Sequence, residues 1–123
     1  MANSFETIAT FDESALDQLH ELQAEGEPSF VGGLINDYLT QVAELNLKVQ
    51  AFEKSGDRRG LEQMAHKLKS SSAVLGLAKV AAICFAIEDS ARAGNATAVN
   101  VQALAVAAPE AITRLHAYLS KLK

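Results

Sequence analysis

A chain of 123 residues suits one domain with a single core, and 49% apolar residues are enough to fill that core without disulfides or metals. Its single cysteine excludes an internal disulfide, and no apolar run reaches the roughly 20 residues of a membrane-spanning helix. A formal net charge of −4 argues mildly against nucleic acid as the main partner, and the single cysteine suits the reducing cytoplasm.

Residues 1–11 show no period and are expected to form an irregular arm before a domain spanning 12–123. Asp12 is a plausible N-cap for a short helix carrying Leu16, Leu19 and Leu22, which Gly26 ends. Pro28 suits the first turn of the next helix, where its missing N–H costs little. Phe30, Leu34, Tyr38, Val42, Leu45, Val49 and Phe52 recur there at threes and fours, the period of one helix face. Gly56 is a natural stop and Asp57 a natural N-cap for the third helix, and the same stop recurs at Gly76 and Gly94. Asn95 or Thr97 starts the last helix, and Pro109 inside it is expected to kink or split it. The spacing thus predicts helices near 13–24, 28–54, 58–75, 77–93 and 97–122, with no strand pattern. Long helices joined by short loops run antiparallel to their neighbours. The expected fold is all-α, an up-down-up-down four-helix bundle with a short additional N-terminal helix.

The third helix carries the chemistry. Leu61, Ala65, Leu68, Ser72 and Leu75 mark its buried face. His66 lies about 160° around the helix from Leu68, on a stripe shared with Glu62, Lys69, Ser70 and Ala73. An imidazole there is open to a partner and can act as base or nucleophile near neutral pH. Lys67 and Lys69 flank it, and Arg58 and Arg59 lie a few turns earlier, so a cationic rim is expected. Such a rim suits a phosphoryl group or an acidic partner. The small residues Ser70 and Ala73 leave the imidazole unobstructed.

Other chemistries are poorly supported. His20, His66 and His116 show no metal-ligand spacing, and Glu62 stands four residues before His66 where a di-iron bundle wants three. There is no Gly-rich phosphate loop and no aromatic-rich cofactor pocket. Cys84, between Ile83 and Phe85, reads as a buried inert thiol. His20 and His116 read as helix-surface residues. Ser70, Ser71 and Ser72 lack the neighbours of a hydrolase nucleophile.

The run Ala65-His66-Lys67-Leu68-Lys69-Ser70-Ser71-Ser72, then Leu75-Gly76-Leu77, Ile87-Glu88 and Ala91-Arg92-Ala93-Gly94, resembles a histidine-containing phosphotransfer domain. The likeness covers most of the chain, and the motif is long. It implies that His66 accepts a phosphoryl group and that Lys69 stands beside it, with Lys67 adding charge. It also implies that Glu88, on the next helix, hydrogen-bonds the imidazole. A turn at Gly76, ten residues after His66 and twelve before Glu88, would bring the two level. Ser70 departs from the family, which usually has Gly there; its hydroxyl would either donate to the phosphoryl group or slightly crowd the partner.

The resemblance implies a phosphorelay intermediate, carrying phosphate between the aspartates of response-regulator receiver domains, that of a hybrid sensor kinase included. The receiver is expected to bring Mg²⁺, so no cofactor and no metal site are expected on this chain. No autonomous ATP-dependent kinase activity, no membrane insertion and a monomeric state are expected. The alternative is a non-phosphorylated adaptor on the same fold that binds a receiver or kinase domain. An enzyme using His66 as acid or base is disfavoured for want of a substrate pocket.

Overall fold

In a computed structural model of the chain, residues 5–21 and 30–121 are described. The expected Leu22, Gly26 and Pro28 signals, and the helix ends expected at 24, 28 and 122, lie outside them. Five helices follow in order: α1 Glu13–Glu21, α2 Phe30–Ser55, α3 Arg58–Val74, α4 Ala78–Ala93 and α5 Ala98–Lys121. No strand occurs among the described residues.

The caps explain the boundaries. Asp12 accepts the N–H of Ser14 at 3.0 Å, opening α1. Asp57 accepts the N–H of Gly60 at 2.9 Å, opening α3. Gly56, Gly76 and Gly94 all adopt positive φ, at 76°, 78° and 78°, where each chain segment turns. Thr97 stands at the start of α5, as expected. Its carbonyl accepts the N–H of Val101, but its buried hydroxyl donates to the Glu53 carboxylate at 2.6 Å, tying the start of α5 to the end of α2.

Helices α2 to α5 close into a ring in which each packs on its two chain neighbours and α5 returns to α2, while α1 lies against α2. The end-to-start contact between α2 and α5, and the short α2–α3, α3–α4 and α4–α5 links, make successive helices antiparallel. Val31, Ile35, Val42 and Val49 of α2 meet Leu61, Ala65 and Leu68 of α3, Val80, Ile83 and Ile87 of α4, and Leu104, Ala111 and Leu115 of α5 in one core. Each large aliphatic side chain buried there contributes roughly 1.5–3 kcal/mol. Leu16 of α1 is also fully buried. An internal polar pair is satisfied here, because the hydroxyls of Tyr38 and Ser72 lie 2.8 Å apart.

Two expectations are corrected. The α2 stripe begins at Val31 and Ile35, both fully buried, while Phe30 is 53% exposed. Two successive four-residue steps back from Tyr38 rotate about 80° off the core face, whereas steps of three and four stay on it. Pro109 does not split α5, which runs unbroken from Ala98 to Lys121. Pro109 and Ala105 both face solvent, so water can reach the Ala105 carbonyl that the proline leaves without its helical donor.

The arm before α1 reinforces the α3–α4 turn. The N–H of Asp12 donates to the Gly76 carbonyl at 2.7 Å, and that of Lys79 donates to the Ala9 carbonyl at 3.1 Å. Phe11 is buried against Tyr118, edge to face at 5.9 Å between ring centroids.

Candidate functional site

The site forms where α3 and α4 run side by side above that turn. The buried face of α3 is the expected one: Leu61, Ala65, Leu68, Ser72 and Leu75 are all at most 2% exposed. Their burial turns His66 outward, and its side chain is 60% exposed.

Glu88 reaches His66 from α4. Its residue is only 4% exposed, although a lone carboxylate at such a position would be costly. Three donors surround it. Oε2 lies 2.6 Å from His66 Nδ1 and accepts from Arg92 Nη2 at 3.3 Å, while Oε1 accepts from Lys69 Nζ at 2.6 Å. Burial pushes the Glu88 carboxyl pKa up, but the hydrogen bonds and charges of Lys69 and His66 outweigh burial and hold it below its ordinary value. The carboxylate is therefore ionised at neutral pH and can only accept. It follows that Nδ1 of His66 is the protonated nitrogen. In the neutral ring Nε2 then carries the lone pair, on the side away from Glu88.

The other expected site residues lie around this centre. Lys69 is 28% exposed along its side chain and stands between Glu88 and the ring of Phe85. Lys67 is exposed and borders two grooves beside His66, one toward α2 and one toward α4. Ala73 is exposed two turns beyond His66. The hydroxyl of Ser70 is turned back along its own helix, donating to the His66 carbonyl at 3.2 Å.

Arg58 is not part of the rim. Its guanidinium donates to the carbonyls of Ser90 at 3.2 Å and Ala91 at 3.4 Å, and also to that of Asn95. Gly94 N–H already donates to the Ser90 and Ala91 carbonyls and Asn95 N–H to that of Ser90, so the guanidinium adds a second donor there and ties the start of α3 to the end of α4. His20 and His116 are exposed, on α1 and α5. Cys84 is fully buried, and burial pushes its thiol up to about 12, as an inert core thiol requires.

Two contributors lie outside the expected site, Arg92 and a wall from α2. Arg92 bridges Glu88 and Glu62, its Nε donating to Glu62 Oε1 at 2.9 Å. The available signal was spacing, since Arg92 follows Glu88 by four residues and Glu62 precedes His66 by four. The wall of the α2-side groove, with Gln41, Glu44 and Lys48, comes from a helix distant in sequence and leaves no local signature.

Residues 6–123 match the family model described as the Hpt domain. Multistep phosphorelay regulator 1 of Schizosaccharomyces pombe is 33% identical over 78 residues, which cover 63% of this chain and 26% of that protein. The matched part thus spans about a quarter of that relative. The solved structure of histidine-containing phosphotransfer protein B from Pseudomonas aeruginosa PAO1 superposes with a TM-score of 0.81 at 19% identity, covering 94% of this chain and 98% of that one. The likeness in structure shows a shared fold, and the match over nearly the whole length shows the family: this chain belongs to the Hpt domain family, the histidine phosphotransfer intermediates of phosphorelays.

Proposed function

We propose that His66 is the phosphoryl carrier of this chain, taking the group from the aspartate of one receiver domain and passing it to another. The observation that carries this reading is the 2.6 Å contact between His66 Nδ1 and the ionised Glu88, on a ring whose side chain is 60% exposed. Nε2 attacks phosphorus in line, the N–P bond forms, and the acyl phosphate O–P bond breaks, returning the aspartate as a carboxylate. The ring keeps its Nδ1 proton and becomes cationic, and Glu88 faces that positive charge directly. Phosphoryl transfer asks for positioning and charge neutralisation more than covalent help. Glu88 supplies the first, and Lys69 and Lys67 supply charge for the phosphoryl oxygens. On the return step the N–P bond breaks and the lone pair goes back to Nε2.

Receiver domains are the partners of this family, and their approach fits the small, open stripe of Ser70 and Ala73 beside His66. The bundle acts as a monomeric cytoplasmic carrier, relays from the receiver of a hybrid sensor kinase, and has no ATP-dependent kinase activity of its own. Among the described residues no helix is long and apolar enough to cross a membrane.

The test is incubation with a phosphorylated receiver, followed by detection of acid-labile, alkali-stable phosphate on this chain. The wild type should be labelled, and His66→Gln should lose the label while its helical circular dichroism is unchanged. Label retained in the variant, or found on His20 or His116, would overturn the assignment. Receiver binding without any label would return the chain to the adaptor reading.

A further inference from the structure

Lys69 is held from two sides. Its Nζ donates to Glu88 Oε1 at 2.6 Å and stands 5.4 Å from the centroid of the Phe85 ring. Phe85 lies three residues before Glu88 on α4 and is 57% exposed, so burial does not account for an aromatic at this position. A ring face attracts a cation through its quadrupole at separations up to about 6 Å. It does so without placing a second carboxylate where phosphoryl oxygens must arrive. Lys69 has a flexible four-carbon stem and three N–H donors, of which Glu88 takes one. Without the ring, the ammonium would keep one anchor and sample solvent around it.

We propose that Phe85 is a positioning residue, its ring face seating the Lys69 ammonium beside Glu88 so that the ammonium meets the phosphoryl oxygens on His66 already in place. This inference rests on the reading of His66 as the phosphoryl acceptor. The ring acts on the reaction only through Lys69. An exposed pair of this kind corresponds to a factor of about two to five in an equilibrium or rate.

The experiment uses the full chain and phosphoramidate, a small donor that needs no docked receiver. Phe85→Leu should slow phosphorylation of His66 about two- to fivefold, and Phe85→Tyr, which keeps the ring face, should restore the wild-type rate. In a Lys69→Ala background Phe85→Leu should have no further effect, because the residue through which the ring acts is gone. The ε-methylene proton resonances of Lys69, shifted by the ring, should move toward free-lysine values in Phe85→Leu and stay in Phe85→Tyr. Equal slowing by Leu and Tyr would overturn the proposal, as would slowing that persists in the Lys69→Ala background. A loss seen only with a phosphorylated receiver, and not with phosphoramidate, would also overturn it and make Phe85 a docking contact. Failure of wild-type His66 to take label from phosphoramidate would instead count against the acceptor reading, while the lysine resonances would still report the seat.

Discussion

His66 Nδ1 and Glu88 Oε2 lie 2.6 Å apart across 22 residues of chain. The turn at Gly76 folds α4 back on α3, and the arm of residues 9–12 holds that turn through two backbone hydrogen bonds. The register of this one contact decides which imidazole nitrogen keeps the proton and which faces solvent.

Removing the carboxylate should slow transfer without stopping it. Glu88→Ala leaves Nδ1 without its acceptor and Lys69 and Arg92 without their shared counter-charge. The partner that orients a working histidine is worth about ten- to hundredfold, as at carboxylate–histidine–metal sites. The rate of label uptake from a phosphorylated receiver should fall by that factor. An unchanged rate would mean that Glu88 does not govern the ring.

Acid should destabilise the fold through the same residue. The folded-state pKa of Glu88 is depressed below its ordinary value near 4.5. A depressed carboxylate contributes stability that is complete above the unfolded pKa and is lost as pH falls through the folded one. Urea denaturation of the wild type should therefore show stability falling below about pH 4.5. Glu88→Gln should remove part of that slope. Identical slopes in the two proteins would show that Glu88 is not coupled to folding.

Ser70 tests the docking face. Its hydroxyl donates to the His66 carbonyl along its own helix. Ser70→Gly should leave transfer intact or faster and cost about 0.5 kcal/mol of helix stability. Ser70→Arg, one turn beyond His66, should suppress transfer from a receiver far more than labelling by phosphoramidate. Equal effects on both reactions would move the docking face elsewhere, and a collapse of transfer in Ser70→Gly would give the hydroxyl a chemical role.

Gly76 and Gly94 share a φ of 78° but not their surroundings. A Cβ at Gly94 meets nothing within 4 Å, so Gly94→Ala should cost only the left-handed penalty of about 1–2 kcal/mol. A Cβ at Gly76 would collide with the Asp12 carbonyl and touch the Ala15 Cβ at 3.0 Å. Gly76→Ala should therefore cost more than ~2 kcal/mol in denaturation and also slow transfer, because the arm that braces the turn must move. Equal losses from the two substitutions would show that the arm does not clamp Gly76.

The helices around the site were legible where a local period was unambiguous. Leu61, Ala65, Leu68, Ser72 and Leu75 mark a single face, and placing His66 opposite that face needed nothing more. The start of α2 was misread because Phe30 and Leu34 offer the same apolar character as Val31 and Ile35. Only the partner helices choose between them, and they take the set in phase with Tyr38. Arg58 was misplaced for a related reason: its charge was visible, but the carbonyls at the end of α4 that it donates to belong to another helix.

Glycine stops, capping aspartates and helical period act within a few residues, so the sequence by itself determined the five helices, their antiparallel order and the outward position of His66. Tertiary structure alone decided that Glu88 is buried with three donors around it, that Arg92 links it to Glu62, that Phe85 lies under Lys69, and that α2 walls a groove beside the imidazole. Those contacts depend on the rotation and register of packed helices. Core side chains from all four long helices set that rotation together, and no local stretch of sequence contains it.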